Sequence, residues 1–169
     1  MDNQLVYREA LPEDAAEYLR FLKIVGGETD NLTFGAEGVP YTPEQYAPVI
    51  ERMHKREDSL MLLCLDGEEI VGFASLVCDG NPRFAHRGEL AIFVRKDHWG
   101  IGVGSELMKE IIDFARSRDL AVITLEVRAD NERAKHLYRK FGFEYFGRYE
   151  KFFRFPYGDV AADYMNLYL

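Results

Sequence analysis

Apolar positions recur along this chain at two spacings, and together they predict a mixed α/β fold. An alternating stretch at residues 5–10 indicates a first strand. A helical pattern begins at Pro12, where proline and the following acidic residues suit a first helical turn. We expect this helix to end at Gly26 and Gly27, because glycine commonly terminates helices. The polar, aperiodic segment 28–40 is predicted to be a loop.

A second helix has a well-marked start. Thr42 is a suitable cap, Pro43 suits the first helical position, and Gln45 completes a capping box. The later segments read as two strands joined by an Asp-Gly turn, a strand, a helix, a strand, a helix and an aromatic-rich strand pair. They cover residues 59–65, 70–78, 90–94, 107–115, 122–127, 134–141, 143–155 and 160–169. The order β-α-α-β-β-β-α-β-α-β-β predicts a single mixed α/β domain over residues 1–169.

Composition and charge exclude several classes of protein. The formal net charge of −8 argues against binding of a nucleic-acid backbone. The four histidines show no metal-ligand spacing, so no metal is expected. Cys64 and Cys78 lie within apolar runs, which indicates buried thiols. The start of the sequence lacks signal-peptide features and no apolar run approaches ~20 residues, so we expect a cytoplasmic protein without a membrane partner.

Three glycines at alternate positions form the most informative turn. Gly100, Gly102 and Gly104 stand between an apolar strand and an amphipathic helix. Backbone N–H groups at such a helix start, together with the helix dipole, favour a phosphate group. Three interpretations remain open on these residues alone: a tight turn without a ligand, a dinucleotide site, or a site for coenzyme A.

The dinucleotide interpretation is the weaker of the two that involve a phosphate ligand. Glu126 does follow the turn by about 20 residues, as a ribose-binding acid would. However, Leu107 occupies the place of the third glycine of that fingerprint. The turn also lacks the Gly-Lys-Ser/Thr ending of a P-loop, which argues against nucleotide hydrolysis.

Two segments carry a resemblance to a known family. Residues 99–108 resemble motif A of the GNAT superfamily of N-acetyltransferases, Gln/Arg-x-x-Gly-x-Gly/Ala, with Gly102 and Gly104 on its glycines and Trp99 in place of Gln or Arg. Residues 131–143 resemble its motif B, Asn-x-x-Ala-x-x-Leu-Tyr-x-Lys-x-Gly-Phe, at every specified position. The order and separation of the motifs also match, so the resemblance extends over essentially the whole chain.

The resemblance implies a fold and a co-substrate. The fold is a mixed, mostly antiparallel seven-stranded sheet flanked by about four helices. The co-substrate is acetyl-CoA, with its pyrophosphate on the turn and its pantetheine arm along the preceding strand and against the start of the motif B helix. The implied binding residues are Ile92, Phe93, Val94, Gly100, Ile101, Gly102, Val103, Gly104, Ser105 and Asn131. Asn131 is equally interpretable as a helix N-cap, and the two roles are compatible.

Acetyl transfer to an amine also needs groups that manage protons. Tyr138 of motif B is the implied acid for the leaving thiolate, although its helical spacing alone indicates a core tyrosine. Glu89, just before the donor strand, is a candidate base; the competing interpretations are a water chain as the base and an ordinary surface glutamate at this position. The resemblance further implies an acceptor region built by the first two helices, the loop that connects them and the last strand pair. Four residues of that loop could attract a cationic amine or could be ordinary solvated residues: Glu28, Asp30, Asn31 and Glu37.

These expectations combine into one functional hypothesis. The chain is expected to be an acetyl-CoA-dependent N-acetyltransferase that acts on a primary amine by direct transfer in a ternary complex. The amine is a small molecule, an amino acid or a peptide or protein N-terminus. Three competing hypotheses are a non-catalytic acyl-CoA-binding module, a transferase with a different acyl donor and a transferase with a hydroxyl acceptor. A homodimer is left open.

Overall fold

The fold is a single seven-stranded sheet with helices on both faces. It is seen in a computed structural model that describes residues 4–169. The strands are β1 Val6–Glu9, β2 Leu60–Asp66, β3 Glu69–Cys78, β4 Arg87–Val94, β5 Val122–Arg128, β6 Glu144–Phe155 and β7 Gly158–Tyr168. The helices are α1 Ala15–Glu28, α2 Pro43–His54, α3 Val103–Ser117 and α4 Glu132–Lys140.

The sheet is mostly antiparallel. Its strand order is β1-β2-β3-β4-β5-β7-β6, and β4 with β5 is the one parallel pair among the strands of residues 4–169. The parallel pair arises because α3 carries the chain over the sheet between these two strands. The predicted element order and sheet type are therefore confirmed.

Each face of the sheet has its own apolar core, because residues of a strand alternate between the faces. In β2, Leu62 and Cys64 pack on the side of α3 and α4, whereas Leu63 and Leu65 pack on the side of α1 and α2. Both Cys64 and Cys78 are free and buried, as the sequence pattern indicates.

The predicted end of α1 is wrong by one to two residues, and the reason is a close packing contact. The helix continues through Gly26 and Gly27 to Glu28. A side chain at Gly26 would collide with the carbonyl of Gly35, so glycine here lets the following loop pack directly on the helix. The capping box of Thr42 and Gln45 is confirmed by hydrogen bonds in both directions.

Strand β4 begins at Arg87, earlier than the apolar run that begins at Leu90. The extra residues Arg87 and Glu89 are exposed and alternate with buried Gly88, so they lack the hydrophobic signal of the rest of the strand. Within residues 4–169, no helix combines the length and apolar character needed to cross a membrane.

Candidate active site

Strands β4 and β5 diverge after a short pairing, and the gap between them is the centre of the site. They pair only from Arg87 to Glu89 of β4 with Val122 to Thr124 of β5. Beyond Glu89, β4 remains paired with β3 as far as Val94. The backbone edge of β4 that faces β5 therefore has unpaired polar groups that a bound chain of amides could satisfy.

The glycine turn stands at the end of this open edge. Gly100 and Gly102 have φ values of 79° and 98°, in the left-handed region that only glycine adopts readily. Gly102 caps α3, a helix of 15 residues, without a side-chain cap bond. The first N–H groups of α3 are therefore available for an anion, with the helix dipole adding positive potential.

A cavity of about 660 Å³ joins the turn to the open strand edge. Nearly all of the predicted binding residues line it: Ile92, Phe93, Val94, Gly100, Gly102, Val103, Gly104, Ser105 and Asn131, together with the predicted acid Tyr138. Ile101 does not line the cavity, and its side chain is 64% exposed. Glu89 does not line it either and lies on the sheet beside the gap.

Helix α4 closes the cavity opposite β4. Asn131 caps this helix, since its side-chain oxygen accepts a hydrogen bond from the Ala134 N–H at 3.2 Å. Tyr138 is 7% exposed and packs against Phe143, and no group of residues 4–169 hydrogen-bonds to its hydroxyl. Burial raises the pKa of Tyr138, which keeps the phenol protonated and makes it a weaker acid than an ordinary tyrosine, while its hydroxyl can donate a hydrogen bond into the cavity.

Two carboxylates share the sheet face beside the gap. Glu89 pairs in register with Thr124, and Glu126 lies two residues further along β5, so it points to the same face. Partial burial and the negative charge of Glu89 raise the pKa of Glu126, while a hydrogen bond with Tyr164 opposes the rise. A raised pKa makes Glu126 a better proton acceptor than an ordinary glutamate.

The sequence analysis did not identify Glu126 as a candidate base. The signal for it was the alternation in β5, where Thr124, Glu126 and Arg128 oppose buried Ile123 and Leu125. That alternation identifies a polar face, but the proximity of Glu89 depends on the pairing of two strands about 35 residues apart.

The loop between α1 and α2 also borders the cavity, and three acidic side chains of this region accept hydrogen bonds. Glu28 accepts a hydrogen bond from the Lys96 N–H at 2.8 Å, and Glu37 accepts one from the Gly35 N–H at 2.9 Å. Asp30 accepts one from the Tyr157 hydroxyl at 3.1 Å, which ties this loop to the β6–β7 hairpin. These acids hold the loop in shape, and Glu28 also brings negative charge to the cavity lining. Glu89 and Glu126 add a second acidic group on the sheet beside the gap.

Comparisons with known proteins agree with this geometry. The sequence profile of the Acetyltransferase (GNAT) family matches residues 28–143. The N-alpha-acetyltransferase RimI of Mycobacterium tuberculosis is 36% identical over 95 residues, which cover 56% of this chain and 58% of that protein. The match therefore spans less than two thirds of that relative's own length.

Solved structures extend the similarity over the whole fold. The crystal structure of a GNAT-family acetyltransferase from Streptococcus pneumoniae has 32% sequence identity and a TM-score of 0.94, covering 98% of this chain and 100% of that chain. Salmonella typhimurium yncA, solved with acetyl-CoA, has the same fold with 19% identity and a TM-score of 0.84, covering 99% of this chain and 95% of that chain. This chain belongs to the GNAT family of acetyltransferases.

Proposed function

We propose that this protein is an acetyl-CoA-dependent N-acetyltransferase whose single domain comprises residues 1–169. The observation that carries the proposal is the meeting of three features in one cavity: the open edge of β4, the glycine turn and the buried phenol of Tyr138. The acceptor is a primary amine of a small molecule, an amino acid or a peptide or protein N-terminus, and transfer is direct within a ternary complex.

The donor would be held by backbone groups. N–H groups from Gly100 to Ser105 suit the pyrophosphate, and the open edge from Ile92 to Val94 suits the amides of the pantetheine arm, apart from the Val94 carbonyl, which accepts a hydrogen bond from the Trp99 indole. Asn131 is positioned to add a polar contact beside the arm while it caps α4. An N–H on the β4 edge would polarise the thioester carbonyl and stabilise the negative charge that develops on its oxygen.

In the chemical step, the neutral amine attacks the thioester carbon, so a C–N bond forms and the C–S bond then breaks. Before attack, the ammonium group must lose a proton, and Glu126 or Glu89 would take it directly or through water. As the C–S bond breaks, Tyr138 would give its proton to the thiolate sulfur, and the surplus proton of the attacking nitrogen would pass through water to the phenolate, which restores the phenol. The products are the amide and CoA, and no group outside the two substrates is consumed.

The sheet face beside the gap favours a cationic acceptor. Glu89 and Glu126 concentrate negative charge on that face, in a chain whose formal net charge is −8. An ammonium group would be attracted to such a face, whereas a carboxylate or phosphate acceptor would be repelled. This is the reason for preferring an amine to a hydroxyl acceptor.

The test is CoA thiol release with acetyl-CoA and a panel of amines, amino acids and peptides. Release that depends on one class of amine supports the proposal. Measurable CoA binding without release for any acceptor would favour the non-catalytic binding module. Release with alcohols but not amines would indicate a hydroxyl acceptor, and release with longer acyl-CoA donors only would indicate a different acyl donor.

A further inference from the structure

Helix α4 presents two cationic side chains to the mouth of the cavity, and the mechanism uses neither of them. Arg133 and Lys140 both line the cavity together with the glycine turn. The other cations of this helix, Lys135 and Arg139, form ion pairs with Glu132. Within residues 4–169, neither Arg133 nor Lys140 forms an ion pair with a carboxylate.

Arg133 is held in place by the only tryptophan of the chain. Its guanidinium carbon lies 4.5 Å from the centroid of the Trp99 ring. The indole N–H of Trp99 donates a hydrogen bond to the carbonyl of Val94 at 2.8 Å, so the ring is fixed to the end of β4. A guanidinium stacked on an aromatic face keeps its N–H groups free for an anion and loses little further entropy on binding.

Lys140 lies at the other end of α4, over the first turn of α3. Its Nζ is 3.4 Å from the Oγ of Ser105. The backbone N–H of Ser105 lies in the first turn of α3, where N–H groups have no hydrogen-bond partner within the helix. The two cations thus flank the glycine turn from opposite ends of one helix. Because the chain as a whole is acidic, these two cations offset part of its negative charge at the mouth of the cavity, where a polyanion would enter.

We propose that Arg133 and Lys140 form an anion subsite that binds phosphate oxygens at the nucleotide end of CoA, with Trp99 positioning Arg133. This inference rests on the proposed function, since it assumes that CoA occupies the cavity. In addition to the backbone N–H groups of the turn, two side chains would then neutralise the negative charge of the CoA phosphates.

Isothermal titration with CoA, 3′-dephospho-CoA and phosphate-free pantetheine tests the subsite. We expect Arg133→Gln to weaken CoA binding about tenfold, in line with the strength of a charge-assisted hydrogen bond, and to leave pantetheine binding unchanged. Lys140→Gln should act in the same direction, and Arg133→Lys should retain only part of the affinity, because the charge remains but the stacked guanidinium is lost. Raising the salt concentration should reduce the difference between the native protein and Arg133→Gln.

Arg139→Gln is the matched control, because Arg139 is on the same helix but outside the cavity lining. Its CoA affinity should equal that of the native protein. An effect of Arg133→Gln on CoA but not on 3′-dephospho-CoA identifies the 3′-phosphate as the ligand; an equal effect on both identifies the pyrophosphate, and either result supports the subsite.

Two results would overturn the subsite: unchanged CoA affinity in Arg133→Gln, or an equal loss for pantetheine, which would indicate a purely structural role. Failure of the native protein to bind CoA would instead refute the proposed function. Quenching of Trp99 fluorescence by CoA reports independently that the ligand reaches this end of the cavity, because no other tryptophan contributes.

Discussion

The ammonium group of Lys135 lies 2.8 Å from Oδ2 of Asp163, and this buried ion pair ties α4 to β7. Asp163 is 1% exposed, and its second oxygen accepts a hydrogen bond from Arg148 of β6 at 2.7 Å. Lys135 also donates to the carbonyl of Ala129, just before α4. Helix α4, which carries Tyr138, and the strands β6 and β7 are therefore joined at one carboxylate.

Asp163→Asn is expected to lower the free energy of unfolding by about 3 kcal/mol, because it leaves the ammonium of Lys135 buried without its main partner. Chemical denaturation measures the change. The matched control is Asp159→Asn, which breaks the exposed pair with Arg154 on the same hairpin and should have little effect on stability, because solvent screens that pair. Equal costs for the two variants would contradict a special role for the buried pair.

The same carboxylate should make stability depend on pH in acid. The hydrogen bond from Arg148 and the charge of Lys135 lower the pKa of Asp163, although desolvation opposes them. A lowered pKa means that its contribution is present above the unfolded value of about 4 and is lost as the pH falls through the folded value. Denaturation of the native protein and Asp163→Asn should therefore converge at low pH.

Tyr138→Phe is expected to reduce turnover about a hundredfold while CoA affinity changes little, because the ring still fills its place but can no longer protonate the thiolate. Steady-state kinetics and calorimetry separate the two effects. Tyr7→Phe, on the edge strand β1 and outside the cavity lining, is the control and should retain full turnover. Unchanged turnover in Tyr138→Phe would remove this residue from the mechanism.

Glu126 and Glu89 should have distinguishable effects on the pH profile. A base with a raised pKa gives a rate that falls in acid, and Glu126→Gln should abolish that acidic limb together with most of the activity. Glu89→Gln removes a negative charge that raises the pKa of Glu126, so the limb should move to lower pH while activity persists. A limb unchanged in both variants would assign the proton transfer to water.

Gly102→Ala tests the geometry of the turn. At φ 98° an L-residue is strained, at a cost of about 1–2 kcal/mol, and relief of the strain would displace the first N–H groups of α3. We expect a lower melting temperature and weaker CoA binding. Gly147→Ala is the control, because Gly147 has no positive φ and open space around it, and it should leave CoA affinity unchanged.

Sequence patterns alone were sufficient to predict the local structural features of this protein. The glycine turn, the capping box of Thr42 and Gln45, and the order of strands and helices depend on backbone preferences and periodicities that act within a few residues. The motif residues were equally readable, and all but Ile101 and Glu89 of those predicted for the site line the cavity. The end of α1 could not be predicted in this way, because it depends on the contact of Gly26 with Gly35, a residue outside the helix.

The remaining features depend on which segments meet in space. The gap between β4 and β5, the shared face of Glu89 and Glu126, and the ion pair of Lys135 with Asp163 each join parts of the chain far apart in sequence. No local preference encodes such proximity, because it follows from strand register and from the way the helices pack on the sheet. The sequence therefore specified the glycine turn that we propose as the donor site, and the tertiary structure decided which charged groups surround it.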